Sequence, residues 1–247
     1  MRGTPLWLWP NLLSLDAPVI ALVWQDFAAR SFGNPLHLAA RIVLGLTVWA
    51  IYLGDRLLDT RATGPTPKTA RHNFSRRHPR ALSVLLAAVL VIDALLATVE
   101  LRRTVFVHGL AVGCCATAYL CTFPLRASGW EKQVVAAMLF SAGVLVVTGA
   151  WLGALPLLLP AGLFGGLCFC NLVLMELWER DEDRRLIWLG PAAVAGLAMV
   201  RPSGEWQDAV ALAGVLLAGV ATSGRRLSVD TKRALADAVL LTPLLFR

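Results

Sequence analysis

The apolar residues of this chain come in blocks of roughly 17–22, the length a helix needs to cross about 30 Å of hydrocarbon at about 1.5 Å per residue. Nine blocks can be traced: Leu12–Ala29, Leu36–Gly54, Ala81–Val99, Thr104–Thr122, Val134–Trp151, Leu155–Met175, Leu186–Val200, Trp206–Thr222 and Ala234–Phe246, the seventh and ninth being short. Such blocks leave few folds open. In hydrocarbon every backbone N–H and C=O has to be paired within the protein, so only helices or a closed barrel can span it. No segment alternates apolar and polar positions as a barrel strand does. The sequence therefore predicts an all-α polytopic membrane protein, a bundle of about nine transmembrane helices forming one domain over residues 1–247. Composition agrees: only 16% of residues are charged and the mean hydropathy is +0.65, whereas soluble domains run near a quarter charged.

The net charge of +7 does not point to nucleic acid, because the basic residues follow the loops rather than gathering on one arm. With the amino terminus in the cytoplasm, sixteen Lys and Arg residues fall on the cytoplasmic side and six on the other, the bias that sets orientation. The expected location is a bacterial inner membrane, multi-pass, with the active site facing the cytoplasm. The first block lacks a small-residue cleavage site and reads as a retained helix. The five cysteines lie inside apolar blocks, where a thiol acts as a small hydrophobe, so neither a disulfide frame nor a zinc site is expected.

Polar residues concentrate on the cytoplasmic side. The longest polar stretch, Asp55 to Arg80, reads as a loop that covers a site. Two acidic clusters end spans there. Asp55-Arg56-Leu57-Leu58-Asp59 follows the second block, and residues four apart lie roughly 40° apart around a helix, so both carboxylates share a face. Glu176-Leu177-Trp178-Glu179-Arg180-Asp181-Glu182-Asp183 follows the sixth, and its spacing puts Glu176, Glu179 and Asp183 on one stripe. Carboxylates are costly near hydrocarbon, and a divalent cation offsets that cost. Mg²⁺ takes hard oxygen ligands and is commonly held by a few carboxylates together with substrate phosphates. The plain alternative is that these acids are solvated or paired with Arg56, Arg180 and Arg184.

An Asp-Arg-x-x-Asp after the second span and an acid-x-x-acid-x-x-x-Asp after the sixth resemble the motifs of the UbiA superfamily of intramembrane prenyltransferases, 4-hydroxybenzoate polyprenyltransferases among them. The likeness extends to Tyr119 through Arg126, where Phe123-Pro124-Leu125-Arg126 followed by Lys132-Gln133 is similar to the family's Tyr-Pro-x-x-Lys-Arg segment. This chain departs from the pattern in two places. Ile51 and Tyr52 stand where the family carries Asn-Asp, and Glu176 and Glu179 stand where it carries aspartates. The resemblance implies an Mg²⁺-dependent transferase that moves an isoprenyl group from an isoprenyl diphosphate to a lipophilic or aromatic acceptor drawn from the membrane lipid. It implies Asp55, Asp59, Glu179 and Asp183 as catalytic, these four with Glu176 as metal ligands, and Arg126, Lys132, Arg56, Arg71 and Arg180 as contacts to the diphosphate. Prepositioned cations and metals stabilise the anion that develops as an allylic diphosphate ionises, and a dry bundle protects the carbocation.

Weaker candidates line the expected pocket: Trp24 and Gln25 in the first span, Tyr119 in the fourth, and Asn171, which lies at four-residue steps from Met175, Glu179 and Asp183. Asp93 and His108 read as a polar pair between the third and fourth spans. The tryptophans at 7, 9, 130, 151 and 206 fall near expected membrane interfaces, where indoles anchor. Two other functions are compatible with the same acids: a UbiA-type terpene cyclase, and a transporter or binding protein that uses them for ions. No break within a span is visible, which disfavours the transporter.

Overall fold

A computed structural model describes residues 13–61, 70–126, 130–180, 186–200, 204–223 and 227–246, with side chains for all of these except 59–61, 70–73 and 123–126. The described residues are helical, without a strand. In chain order the α-helices are α1 (Asp16–Ser31), α2 (Leu38–Arg61), α3 (Ala70–Arg77), α4 (Pro79–Glu100), α5 (Arg103–Arg126), α6 (Glu131–Val144), α7 (Val146–Leu152), α8 (Leu158–Glu179), α9 (Leu189–Met199), α10 (Glu205–Ala221) and α11 (Val229–Val239), with 3₁₀ turns at Leu155–Leu157 and Thr242–Leu245.

Four helices are long and apolar enough to cross a membrane, or up to five when the bent pair α6 and α7 counts as one span. Most predicted blocks coincide with helices to within a few residues. Two do not. The fifth block is interrupted at Leu145, where α6 and α7 meet at 61°. Ser141 and Gly143 lie just before the break, and small residues of this kind are a usual cause of kinks. Past the bend Thr148 donates to Asn34 at 3.0 Å, a buried pair that fixes the direction of α7. The ninth block is divided into the short helix α11 and the turn around Pro243, whose ring cannot continue a helix. Ser228 caps α11 by accepting from the Thr231 N–H at 3.2 Å. Gly153, at φ +83°, turns the chain between α7 and the helix that follows, as a tight hairpin requires.

The core forms around α8, the most buried of the spanning helices. Trp24 stacks on Phe164 at 4.3 Å between centroids and meets Trp206 edge-on at 5.0 Å. Both indoles are fully satisfied: Trp24 donates to the Leu240 carbonyl at 2.7 Å and Trp206 to the Pro160 carbonyl at 3.2 Å. Trp206 is therefore a core residue and not an interfacial anchor, whereas Trp130 and Trp151 are exposed as expected. Trp7 and Trp9 lie outside the described residues.

The tightest helix pair is α9 with α10. A Cβ at Gly214 would come within 2.8 Å of the Pro191 carbonyl oxygen and 2.9 Å of the Ala195 Cβ. Gly214→Ala is expected to cost about 1–3 kcal/mol through overpacking. Gly219→Ala, on the same helix with open space around it, is expected to be neutral or to stabilise by about 0.5–1 kcal/mol. Thermal unfolding in detergent separates the two, and equal Tm values would contradict the close approach.

Candidate functional site

The ends of α1, α2, α6 and α8 meet α11 at one side of the bundle, around a cavity of about 1110 Å³. Asp55 and Arg56 come from the last turns of α2, Lys132 and Gln133 from the first turn of α6, and Glu176, Glu179 and Arg180 from the end of α8. The two acidic clusters read from the sequence, separated by more than a hundred residues, thus face the same space. Tyr119, Gln25 and Asn171 line it as expected. Trp24 does not: it is fully buried in the aromatic core, one position round the helix from Gln25.

At the charged end of the cavity wall, three charged residues lie outside the expected set. Asp16 enters from the start of α1, and Arg233 and Asp237 from α11. Arg233 is 4% exposed and pairs with Glu179. Glu176 accepts from the Gln133 amide and pairs with Arg180. Asp16, Tyr52, Asp55 and Asp237 all line this cavity. A sequence signal for two of these existed: Asp16 and Asp237 are acids inside apolar blocks, the kind of residue that is functional by default in a membrane. Arg233 and Gln133 carried no such signal.

The remaining site residues read from the sequence are only partly described. Asp59 lies on α2 and Arg126 at the end of α5, but their side chains are outside the described residues, as is that of Arg71 on α3. Asp183 lies outside them altogether. The polar stretch after Asp55 contains the helix α3, so it is not a loop throughout.

Among the described residues no three carboxylates, histidines or cysteines stand close enough together to hold a metal ion. Mg²⁺ does not require three, since one or two carboxylates and the substrate phosphates suffice. Asp55 fits that demand, having no ion-pair partner among the described residues. Glu176 and Glu179 fit it less well, because each is already engaged by a guanidinium.

Below the charged end the wall is apolar with a few polar interruptions. Thr47 donates to Asp93 Oδ2 at 2.7 Å, linking α2 to α4. The expected pair of Asp93 with His108 is not formed; His108 Nδ1 instead lies 2.7 Å from the Thr104 carbonyl of its own helix. The reason is packing: α4 rests on α2 and α5 on α6 and α7, with little contact between α4 and α5. Both helices line the cavity. Three buried oxygens in the lower wall have no hydrogen-bond partner, Asp93 Oδ1, Asn171 Oδ1 and Gln25 Oε1, and each such atom costs about 1–3 kcal/mol.

No family model matches this chain, and neither a curated protein nor a solved structure is similar enough to it to count as a relative.

Proposed function

We propose that this protein is an intramembrane prenyltransferase that moves an isoprenyl group from its diphosphate to a lipophilic or aromatic acceptor, with Mg²⁺ as cofactor. One observation carries the reading: carboxylates and cations from five helices converge on one end of a cavity whose other walls are apolar. That is the shape a molecule with an anionic head and a long hydrocarbon tail requires. Asp55 would hold the cofactor, with Asp59 and Asp183 as the further ligands read from the sequence, and the metal would supply charge neutralisation for the departing diphosphate. Arg56, Lys132 and Arg180 orient the diphosphate, while Glu176 and Glu179 hold Arg180 and Arg233 in place. The apolar wall excludes water from the carbocation, and the acceptor enters from the bilayer between α4 and α5, which make little contact with each other. In this proposal the shorter apolar helices complete a nine-span bundle in a bacterial inner membrane, with the charged end toward the cytoplasm.

The deciding experiment supplies the purified full chain with farnesyl diphosphate, a membrane lipid extract as acceptor, and Mg²⁺ or EDTA. Pyrophosphate release with Mg²⁺ and none with EDTA is expected. No release from farnesyl diphosphate or from shorter and longer allylic diphosphates sinks the reading.

The bend at Leu145 favours a second reading, an ion-coupled transporter, since interrupted spans are characteristic of transporter sites. Gly143, Val146 and Val147 on either side of the bend line the cavity. Ion-dependent flux into proteoliposomes without pyrophosphate release decides for it.

A further inference from the structure

Arg30 and Arg41 meet at the end of the α1–α2 hairpin away from the charged end of the cavity, where α1 finishes and α2 begins. With the amino terminus in the cytoplasm, only six Lys and Arg residues fall on that side, and these are two of them. Cations are depleted there, so a close pair needs a local reason. Both guanidiniums bind the one carboxylate of Asp26, Arg30 through Nε at 3.4 Å and Arg41 through Nη2. The three side chains together keep one positive charge in excess. Arg30 also donates to the Phe246 carbonyl at 2.8 Å, whereas Arg41 makes no other side-chain hydrogen bond among the described residues. The Arg41 side chain is 46% exposed, and most of its N–H donors remain to be used.

Beside this cluster an apolar groove of about 690 Å³ runs between α1 and α2, lined by Val19, Leu22, Ile42, Leu46 and Trp49. Val19 and Ile42 are exposed, so the groove lies on the outside of the bundle. Gly45 stands opposite Leu22, whose side chain is 3.5 Å from where a Cβ would be, and the missing side chain keeps the groove open. Trp49 lines the deep end. Its N–H donates to the Leu13 carbonyl at 2.9 Å, so the ring asks nothing polar of a ligand. Arg41 and Trp49 are eight residues apart on one helix, about 12 Å, close to the depth of one leaflet in a hydrocarbon core of about 30 Å.

We propose that this groove holds one anionic phospholipid, with its phosphate on Arg41 and Arg30 and an acyl chain lying along the groove to Trp49. Basic pockets between spanning helices bind the heads of anionic lipids, and a guanidinium offers a planar fork to two phosphate oxygens at once. The single excess charge matches a singly charged phosphodiester. A zwitterionic lipid brings an ammonium that the same excess repels. The site is separate from the cavity and does not depend on what the cavity binds.

The test reads the quenching of Trp49 by lipids brominated on the acyl chain, using the full chain in vesicles and subtracting the signal of Trp49→Phe to remove the other tryptophans. Brominated phosphatidylglycerol in a phosphatidylcholine host is compared with brominated phosphatidylcholine in a phosphatidylglycerol host at the same mole fraction. The anionic lipid is expected to be enriched about tenfold at Trp49, the ratio given by one charge-assisted hydrogen bond. Arg41→Gln leaves one cation against one acid and is expected to bring the two lipids to parity. Gly45→Leu fills the groove with both arginines intact and is expected to end the preference as well, which keeps the test available if the arginine variant does not fold. Arg102→Gln removes an exposed cation just before α5, outside the groove, and is expected to leave the preference unchanged. Equal enrichment of the two lipids at the unmodified protein overturns the proposal, as does a preference that survives Arg41→Gln and Gly45→Leu or that falls equally in Arg102→Gln. No quenching of Trp49 by either lipid places protein in the groove, a second copy or another segment of this chain, and overturns it too.

Discussion

Pyrophosphate release is expected to fall at least about 100-fold in Asp55→Ala, because a prepositioned group facing developing charge contributes about 10²–10³ in rate. Asp55 occupies the cavity without an ion-pair partner among the described residues, so its carboxylate is available to a cation brought in with the substrate. Asp183→Ala is expected to lose a similar factor, since the proposed reading makes it a metal ligand. Asp26→Ala is the control. Asp26 pairs with Arg30 and Arg41 at the other end of α1, outside the cavity, and its loss is expected to leave turnover unchanged. Turnover unchanged in both Asp55→Ala and Asp183→Ala defeats the assignment of the site.

Arg233→Leu is expected to destabilise the protein by about 3–5 kcal/mol, the cost of leaving one member of a buried ion pair without its partner. Arg233 is 4% exposed and Glu179 is 17% exposed, so little water is at hand to solvate the remaining carboxylate. The double variant Arg233→Leu with Glu179→Leu is expected to recover much of the loss, because two apolar side chains replace a pair at small net cost. Thermal unfolding of the single and double variants in one detergent measures both effects. A single variant as stable as the unmodified protein, or a double variant no better than the single, shows that the pair does not hold α11 to α8.

Part of what lies along one helix could be read from the sequence, and what depends on the approach of two helices could not. The face shared by Glu176 and Glu179 follows from 3.6 residues per turn, and both line the cavity. Asp93 was assigned to His108 because hairpin helices are usually neighbours, yet α4 packs on α2 and Asp93 meets Thr47. The break at Leu145 falls in an apolar block without proline, where Ser141 and Gly143 are too weak a signal to mark it. Trp206 begins its helix as an interfacial indole would, and only the packing of α10 against α1 and α8 explains its burial. The departure at Tyr52 shows the same limit. Where the resembled motif has a carboxylate, this chain has a phenol, and carboxylates from other helices, Asp16 and Asp237, line the same cavity. Linear spacing cannot express such a substitution in space.

The little contact between α4 and α5, both of which line the cavity, has a thermodynamic consequence if a lipophile enters between them. A ligand that arrives through the flank equilibrates with the bilayer and not with water, so the concentration that governs occupancy is its mole fraction among the lipids. Apparent affinities for any lipophile are then expected to shift with the ratio of lipid to protein at fixed total ligand, whereas the affinity for a water-borne diphosphate head is not.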